Sequence, residues 1–81
     1  MIRLWFSFPA IQKKAECRVP LMYCMIDLIP YLNELLKEEF SGMYEISDDA
    51  WFFEEKTGIR ISTAVTLTHQ NLSDGMCLVV Y

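Results

Sequence analysis

The sequence predicts an α+β chain: a mixed sheet of four to five strands, one main helix on one face, and a short helical turn before the last strand. Three observations carry this expectation. Residues 2–8 alternate apolar and polar with a period of two, residues 22–40 switch to a spacing of three to four, and residues 76–81 return to a strand-like run. A helix that follows a strand pair and precedes more strands must pack across one face of a single sheet.

Length and composition bound what the chain can be. Eighty-one residues make one domain, expected to span 1–81, near the small end of what folds without disulfides or metals. A hydrophobic content of 53% excludes a disordered chain, and eleven Phe, Trp and Tyr residues supply enough bulk for a core. The net charge of −4 argues against nucleic acid as a partner, because phosphate binding needs clustered Lys and Arg. The acidic excess lies mostly between Glu34 and Glu55 and reads as a solvated helix face and loop. Cys17, Cys24 and Cys77 are an odd count without a Cys-x-x-Cys spacing, so neither a disulfide framework nor a zinc site is expected. Val19–Leu32 is the most apolar run. Asp27 interrupts it, and it falls short of the roughly 20 residues that span a bilayer. With no leader ahead of Ile2, the expectation is a cytoplasmic protein with no membrane insertion and no cofactor.

Taken in order, Ile2, Leu4, Phe6 and Phe8 alternate with Arg3, Trp5 and Ser7, a strand buried on its even side. Pro9–Gln12 make a turn, and Lys14–Val19 form a second, half-buried strand that closes an antiparallel hairpin before Pro20 stops it. From Met22 to Phe40, Met25, Leu28, Ile29, Leu32, Leu35 or Leu36, and Phe40 fall on one helical face, with Asn33, Glu34, Lys37 and Glu38 opposite. Pro30 leaves two readings. Periodicity favours a kinked helix from about Met22, whereas the proline favours a shorter helix capped by Asp27. Ser41-Gly42 ends the helix. Met43–Asp49 is a loop anchored by Ile46, Trp51-Phe52-Phe53 a third strand, Glu55–Gly58 a turn, and Ile59–Ile61 a fourth strand. Leu67 and Leu72 bracket one tight helical turn that ends on Asn71, a residue tolerant of positive φ. Ser73-Asp74-Gly75 then turns the chain into the last strand, Met76–Tyr81. With the final strand parallel to the first at the sheet centre, this order is the β-grasp architecture.

On Leu67-Thr68-His69-Gln70-Asn71-Leu72, Asp74-Gly75, and the core positions Leu78 and Val80, the sequence resembles the ubiquitin-like proteins over essentially its whole length. It departs from them at Gln70, where a tyrosine is usual. Within that superfamily, the Val19-Pro20 join to the helix, the Thr57-Gly58 turn and Asp74-Gly75 resemble the small bacterial YukD/EsaB-like proteins encoded with type VII secretion systems. The likeness implies a non-catalytic accessory or regulatory protein that binds another protein. Ubiquitin-like carriers and modifiers need an exposed Gly-Gly terminus, whereas this sequence ends Leu78-Val79-Val80-Tyr81, so that alternative is disfavoured.

No residue pattern points to catalysis. His69 stands alone in a polar turn without an orienting partner, and Asp48-Asp49 and Glu54-Glu55 read as solvated loop pairs. The expected site is instead the sheet face turned away from the helix. If Ile2, Leu4, Phe6, Trp51, Phe53, Leu78 and Val80 face the helix, then Trp5, Phe52, Val79 and Tyr81 face outward as lateral neighbours. They would form an apolar partner-binding patch. A homodimer, or a homo-oligomerising structural subunit, would satisfy the same pattern. The plain alternatives are side chains lying flat along the Arg3, Lys14 and Arg18 stems, or a slip of phase after Trp51.

Overall fold

The alternation at the start of the chain makes β1 (Ile2–Phe8) and β2 (Lys13–Val19), paired antiparallel from Ile2 opposite Val19 to Phe8 opposite Lys13. The computed structural model describes every residue from Met1 to Tyr81. Helix α1 (Met25–Phe40) follows, then β3 (Phe52–Glu54), β4 (Arg60–Ile61), a 3₁₀ turn (Leu67–His69) and β5 (Met76–Val80). The sheet order is β2-β1-β5-β3-β4, with β5 parallel to β1 and antiparallel to β3. This is the expected ubiquitin-like β-grasp architecture.

The core lies between α1 and one face of the sheet. Met25, Leu28, Ile29, Leu32 and Leu36 form the buried stripe of α1, and Leu4, Phe6 and Phe8 meet it from β1. Phe6 and Phe52 meet edge-to-face at 6.4 Å between centroids, a favoured aromatic geometry. Ile46 is buried where the loop after α1 folds back. Asn33 holds it in a reciprocal pair: the Ile46 N–H donates to Asn33 Oδ1 at 2.7 Å, and Asn33 Nδ2 donates to the Ile46 carbonyl at 3.0 Å. Asn33, expected on the solvent face of the helix, is therefore half-buried and ties that loop down.

The helix starts at Met25, between the two starts that the sequence allowed. Residues 21–24 stay out of it because their backbone is bonded elsewhere. The Leu21 carbonyl accepts from Thr68 N–H (2.9 Å) and Thr68 Oγ1 (2.8 Å), and the Tyr23 carbonyl accepts from Leu67 N–H (3.0 Å). A helix begun at Met22 would forfeit these bonds. Asp27 serves the helix end from its third position, its carboxylate accepting the Cys24 N–H at 3.3 Å. Pro30 falls in the second turn, inside the helix, where it supplies no N–H for the Ile26 carbonyl. At the other end, Ser41 (φ +54°) and Gly42 (φ +74°) are both left-handed, and Met43 N–H closes on the Phe40 carbonyl at 3.0 Å.

The turn before β5 is shorter than expected. It ends on Gln70, whose N–H donates to the Leu67 carbonyl at 3.1 Å, and Asn71 does not adopt a positive φ. Gln70 has its own task. Its Oε1 accepts the Ser62 N–H (2.9 Å), and its Nε2 donates to the carbonyls of Ser62 (2.9 Å) and Val65 (3.0 Å). That side chain holds residues 62–65 closed, and Thr63 in turn accepts the Ile26 N–H at 3.1 Å.

Asp74 and Gly75 set the register of the parallel pair. Asp74 accepts the Arg3 N–H (2.8 Å) and the Arg3 guanidinium (3.0 Å), while Gly75, at φ +84°, donates to the Arg3 carbonyl at 2.8 Å. With that clamp made, Leu4 stands beside Met76 and Phe6 beside Leu78. The backbone and guanidinium bonds from Arg3 lower the Asp74 pKa below the ordinary carboxylate value.

Two outcomes are expected. Pro30→Ala restores one helical hydrogen bond and relieves the ring's clash with the preceding turn, adding about 1–3 kcal/mol of stability. A urea titration should show a higher midpoint at unchanged slope. A carboxylate with a depressed folded-state pKa gives stability that is complete above its unfolded value, about 3.9, and lost as pH falls through the folded one. Melting temperatures followed from pH 7 to pH 2 should therefore drop more steeply for the wild type than for Asp74→Asn, which starts lower and lacks this acid limb.

Candidate functional site

Strand pairing decides which side chains reach the outer face of the sheet. Phe52 lies opposite Val80 on β5 and Ile61 on β4, and all three are buried. Phe53 lies opposite Val79 and Arg60, and this row faces away from α1. The expected phase of the third strand is thus corrected. Phe52, anticipated as a partner-binding residue, is a fully buried core residue, whereas Trp51 and Phe53, anticipated in the core, stand on the outer face. Three successive aromatic residues carry no alternation, so their phase follows from the registers with β5 and β4.

Trp51, Phe53 and Tyr81 form one aromatic run. Trp51 and Phe53 stack at 5.9 Å with an interplanar angle of 26°, and Phe53 meets Tyr81 edge-on at 5.9 Å. Trp51 and Tyr81 also exchange backbone hydrogen bonds of 3.0 and 2.9 Å, extending the β3–β5 ladder by one pair. Arg60 caps the run, its guanidinium carbon 3.6 Å from the Trp51 ring centroid, within cation–π range. Exposure is 47% at Trp51 and 65% at Tyr81, so these rings present much of their surface to solvent. Val79 is half-buried beside Phe53.

Trp5, 38% exposed, is also outward, but its neighbours in the ladders are Glu16 and Cys77. An ion pair separates it from the ring run. Lys14 on β2 reaches Glu55, just past β3, at 3.3 Å, and so spans the two strands between. Cys77 Sγ lies 3.5 Å from the same carboxylate oxygen. Trp5 and Val79 stand on either side of this strap. The Lys14 hydrogen bond, then that of Cys77, lowers the Glu55 pKa, while burial and the adjacent carboxylate raise that of Cys77. Of the four side chains anticipated as a patch, Trp5, Val79 and Tyr81 share the outer face. The residues that sequence reasoning missed are Trp51, Phe53 and Arg60. A signal for Arg60 existed: a strand that buries Ile61 must turn Arg60 to the other side.

Elsewhere the chemistry is sparse. His69 is exposed in the 3₁₀ turn, and Asp48 and Asp49 are exposed in the loop after α1. Glu54 accepts the Lys56 N–H at 2.5 Å, closing the turn between β3 and β4. All three cysteines are free thiols. Burial raises the Cys17 pKa and keeps that thiol protonated. No group of three or more His, Cys, Asp or Glu side chains converges to hold a metal. An apolar cleft of about 350 Å³ lies where β2 meets the start of α1 and is lined by Met1, Pro20, Tyr23, Leu28 and Tyr31 with Arg18 and Asp27. No helix is long and apolar enough to cross a membrane.

No protein-family model matches the sequence, and no curated protein matches it. Among solved structures, the chain is similar to one described as molecular mimicry of SUMO that promotes DNA repair. The TM-score is 0.71 at 15% identity, over 99% of this chain and 89% of that one. It is also similar to ATBAG1 crystallised in complex with HSP70, with a TM-score of 0.66 at 15% identity, over 100% of this chain and 40% of that one. The chain thus spans about two fifths of the second neighbour's length. These likenesses agree with the strand order and the single crossing helix: the fold is ubiquitin-like.

Proposed function

We propose that the chain is a non-catalytic protein-interaction module whose partner docks on the outer sheet face through Trp51, Phe53, Val79 and Tyr81. One observation carries this: a run of contacting aromatic rings left in solvent and capped by Arg60. Aromatic residues and arginine are the side chains most enriched among those that dominate binding energy at protein interfaces. Small soluble chains seldom leave a contiguous apolar patch uncovered without a use for it. Trp5, beyond the Lys14–Glu55 strap, lies at the margin of the surface.

We further propose that the chain serves as an accessory or regulatory ubiquitin-like component of a bacterial type VII-like secretion system. The support is the likeness to YukD/EsaB-like proteins in the Val19-Pro20 join, the Thr57-Gly58 turn and Asp74-Gly75. The partner is then a cytosolic part of that apparatus, and the genes beside this one identify which.

The two adjacent phenylalanines separate binding from folding. Phe53→Arg is expected to abolish capture of a purified apparatus component while the melting temperature stays close to that of the wild type. Phe52→Ala should cost about 3–5 kcal/mol by emptying a core position, and it should weaken binding only as far as it unfolds the chain. Calorimetry with both variants checks this. Equal affinity of wild type and Phe53→Arg would remove the outer face from the interaction.

A further inference from the structure

The outer sheet face is apolar at its centre, and the unpaired charges around it are two guanidinium groups and one carboxylate, Glu16. Arg3, Lys14, Arg18 and Arg60 stand on this face, with the carboxylates of Glu16, Glu55 and Asp74 among them. Arg3 is neutralised by Asp74 and Lys14 by Glu55, whereas Arg18 and Arg60 have no ion-pair partner. Yet the chain as a whole is acidic, with a net charge of −4. Its charge is segregated: seven of the eleven carboxylates lie between Asp27 and Asp49, where Lys37 is the single cation. That stretch is α1 and the loop after it, on the far side of the sheet.

An apolar face bearing free guanidinium groups is complementary to apolar side chains set among carboxylates. The chain carries that chemistry itself. On the solvent side of α1, Ile26, Pro30 and Tyr31 are exposed beside Asp27, Glu34 and Glu38. Next to them runs a groove of about 640 Å³ walled by Glu34, Glu45 and Asp48 together with Lys37, which pairs with Glu34 at 3.5 Å. The core separates the two surfaces, so they cannot meet within one molecule.

We propose that a second copy of this chain occupies the outer sheet face, presenting the exposed side of its α1, so that protomers associate head to tail. The proposal rests on the outer face being a docking surface and names its occupant. Pairing sheet to sheet would set two faces with the same excess of unpaired cations against each other, a like-charge cost that the helix side avoids. The contact is heterologous and leaves each end protomer with one unused surface, so association continues beyond a dimer. A stable interface needs roughly 800 Å² from each partner, about a sixth of the 5104 Å² surface of this chain. One face of a molecule with extents of 33 × 23 × 23 Å is of that order.

Sedimentation velocity of the purified full chain over rising concentration is the test. At low salt the average mass should grow past a dimer, and at high salt it should fall back to the monomer as the charges are screened. Phe53→Asp closes the sheet face and Tyr31→Asp closes the helix face. Each variant, its fold verified by circular dichroism and melting, should remain monomeric alone, and an equimolar mixture should give a one-to-one heterodimer that grows no further. A wild type that stays monomeric at low salt, a dimer that does not grow, or two variants that fail to pair would each overturn the proposal. If the wild type is monomeric but Phe53→Arg still loses a purified apparatus component, the self-association fails and the docking surface survives. If neither binding is seen, both fall.

Discussion

The register of β5 between β1 and β3 is the constraint on which the rest of the molecule depends. Once the Asp74 carboxylate has taken the Arg3 N–H and guanidinium, each residue of β5 has its face assigned. Leu78 and Val80 turn to the core, and Val79 and the following Tyr81 turn away. Because β3 pairs with β5 in turn, the same register makes Phe52 core and Phe53 surface. A slip of one residue would exchange the two, turning Phe53 and Glu55 into the helix-facing layer and exposing Phe52. The apolar surface and the core thus share a single structural determinant, one exposed ion pair and the turn beside it.

A second dependence runs through the segment ahead of β5. Gln70 closes residues 62–65 with three side-chain hydrogen bonds, and this stretch and the turn that follows bond the backbone of residues 21–26. The helix start is therefore set by a loop some 40 residues downstream. In the ubiquitin-like proteins that the sequence resembles, a tyrosine is usual at this place. Here an amide satisfies three backbone groups at once, which a single phenolic oxygen could not do. Gln70 is uncharged, so this joint does not titrate as the Arg3–Asp74 clamp does.

The architecture was legible in the sequence because each element stated its period clearly: the alternation of Ile2–Phe8, the three-four spacing of Met25–Phe40, and the Asp74-Gly75 turn. What could not be read was long-range. Nothing local says that Leu21 and Tyr23 give their carbonyls to Thr68 and Leu67, so the helix start could only be bracketed. Asn33 falls on the polar side of a helical wheel, and only the fold brings Ile46 to it. The site was partly legible for the same reason. Trp5 and Val79 sit in alternating strands, and their outward direction follows from their neighbours. Trp51-Phe52-Phe53 offers no alternation, and the contact of Arg60 with Trp51 joins residues whose strands meet only in the finished sheet.

The parallel contact of the first and last strands has a mechanical consequence. The start of β1 and the end of β5 lie at opposite ends of their shared ladder. Tension applied between those two points pulls the strands past each other lengthwise. It does not peel them open from one end. The backbone bonds of the ladder, together with the Arg3–Asp74 pair, then bear the load at the same time and must give way together. Peeling β2 from β1 instead meets its bonds one after another. The sheet is therefore stiff along the line joining its two central strands and weak at its edges, and pulling direction, more than equilibrium stability, decides how much force the domain withstands.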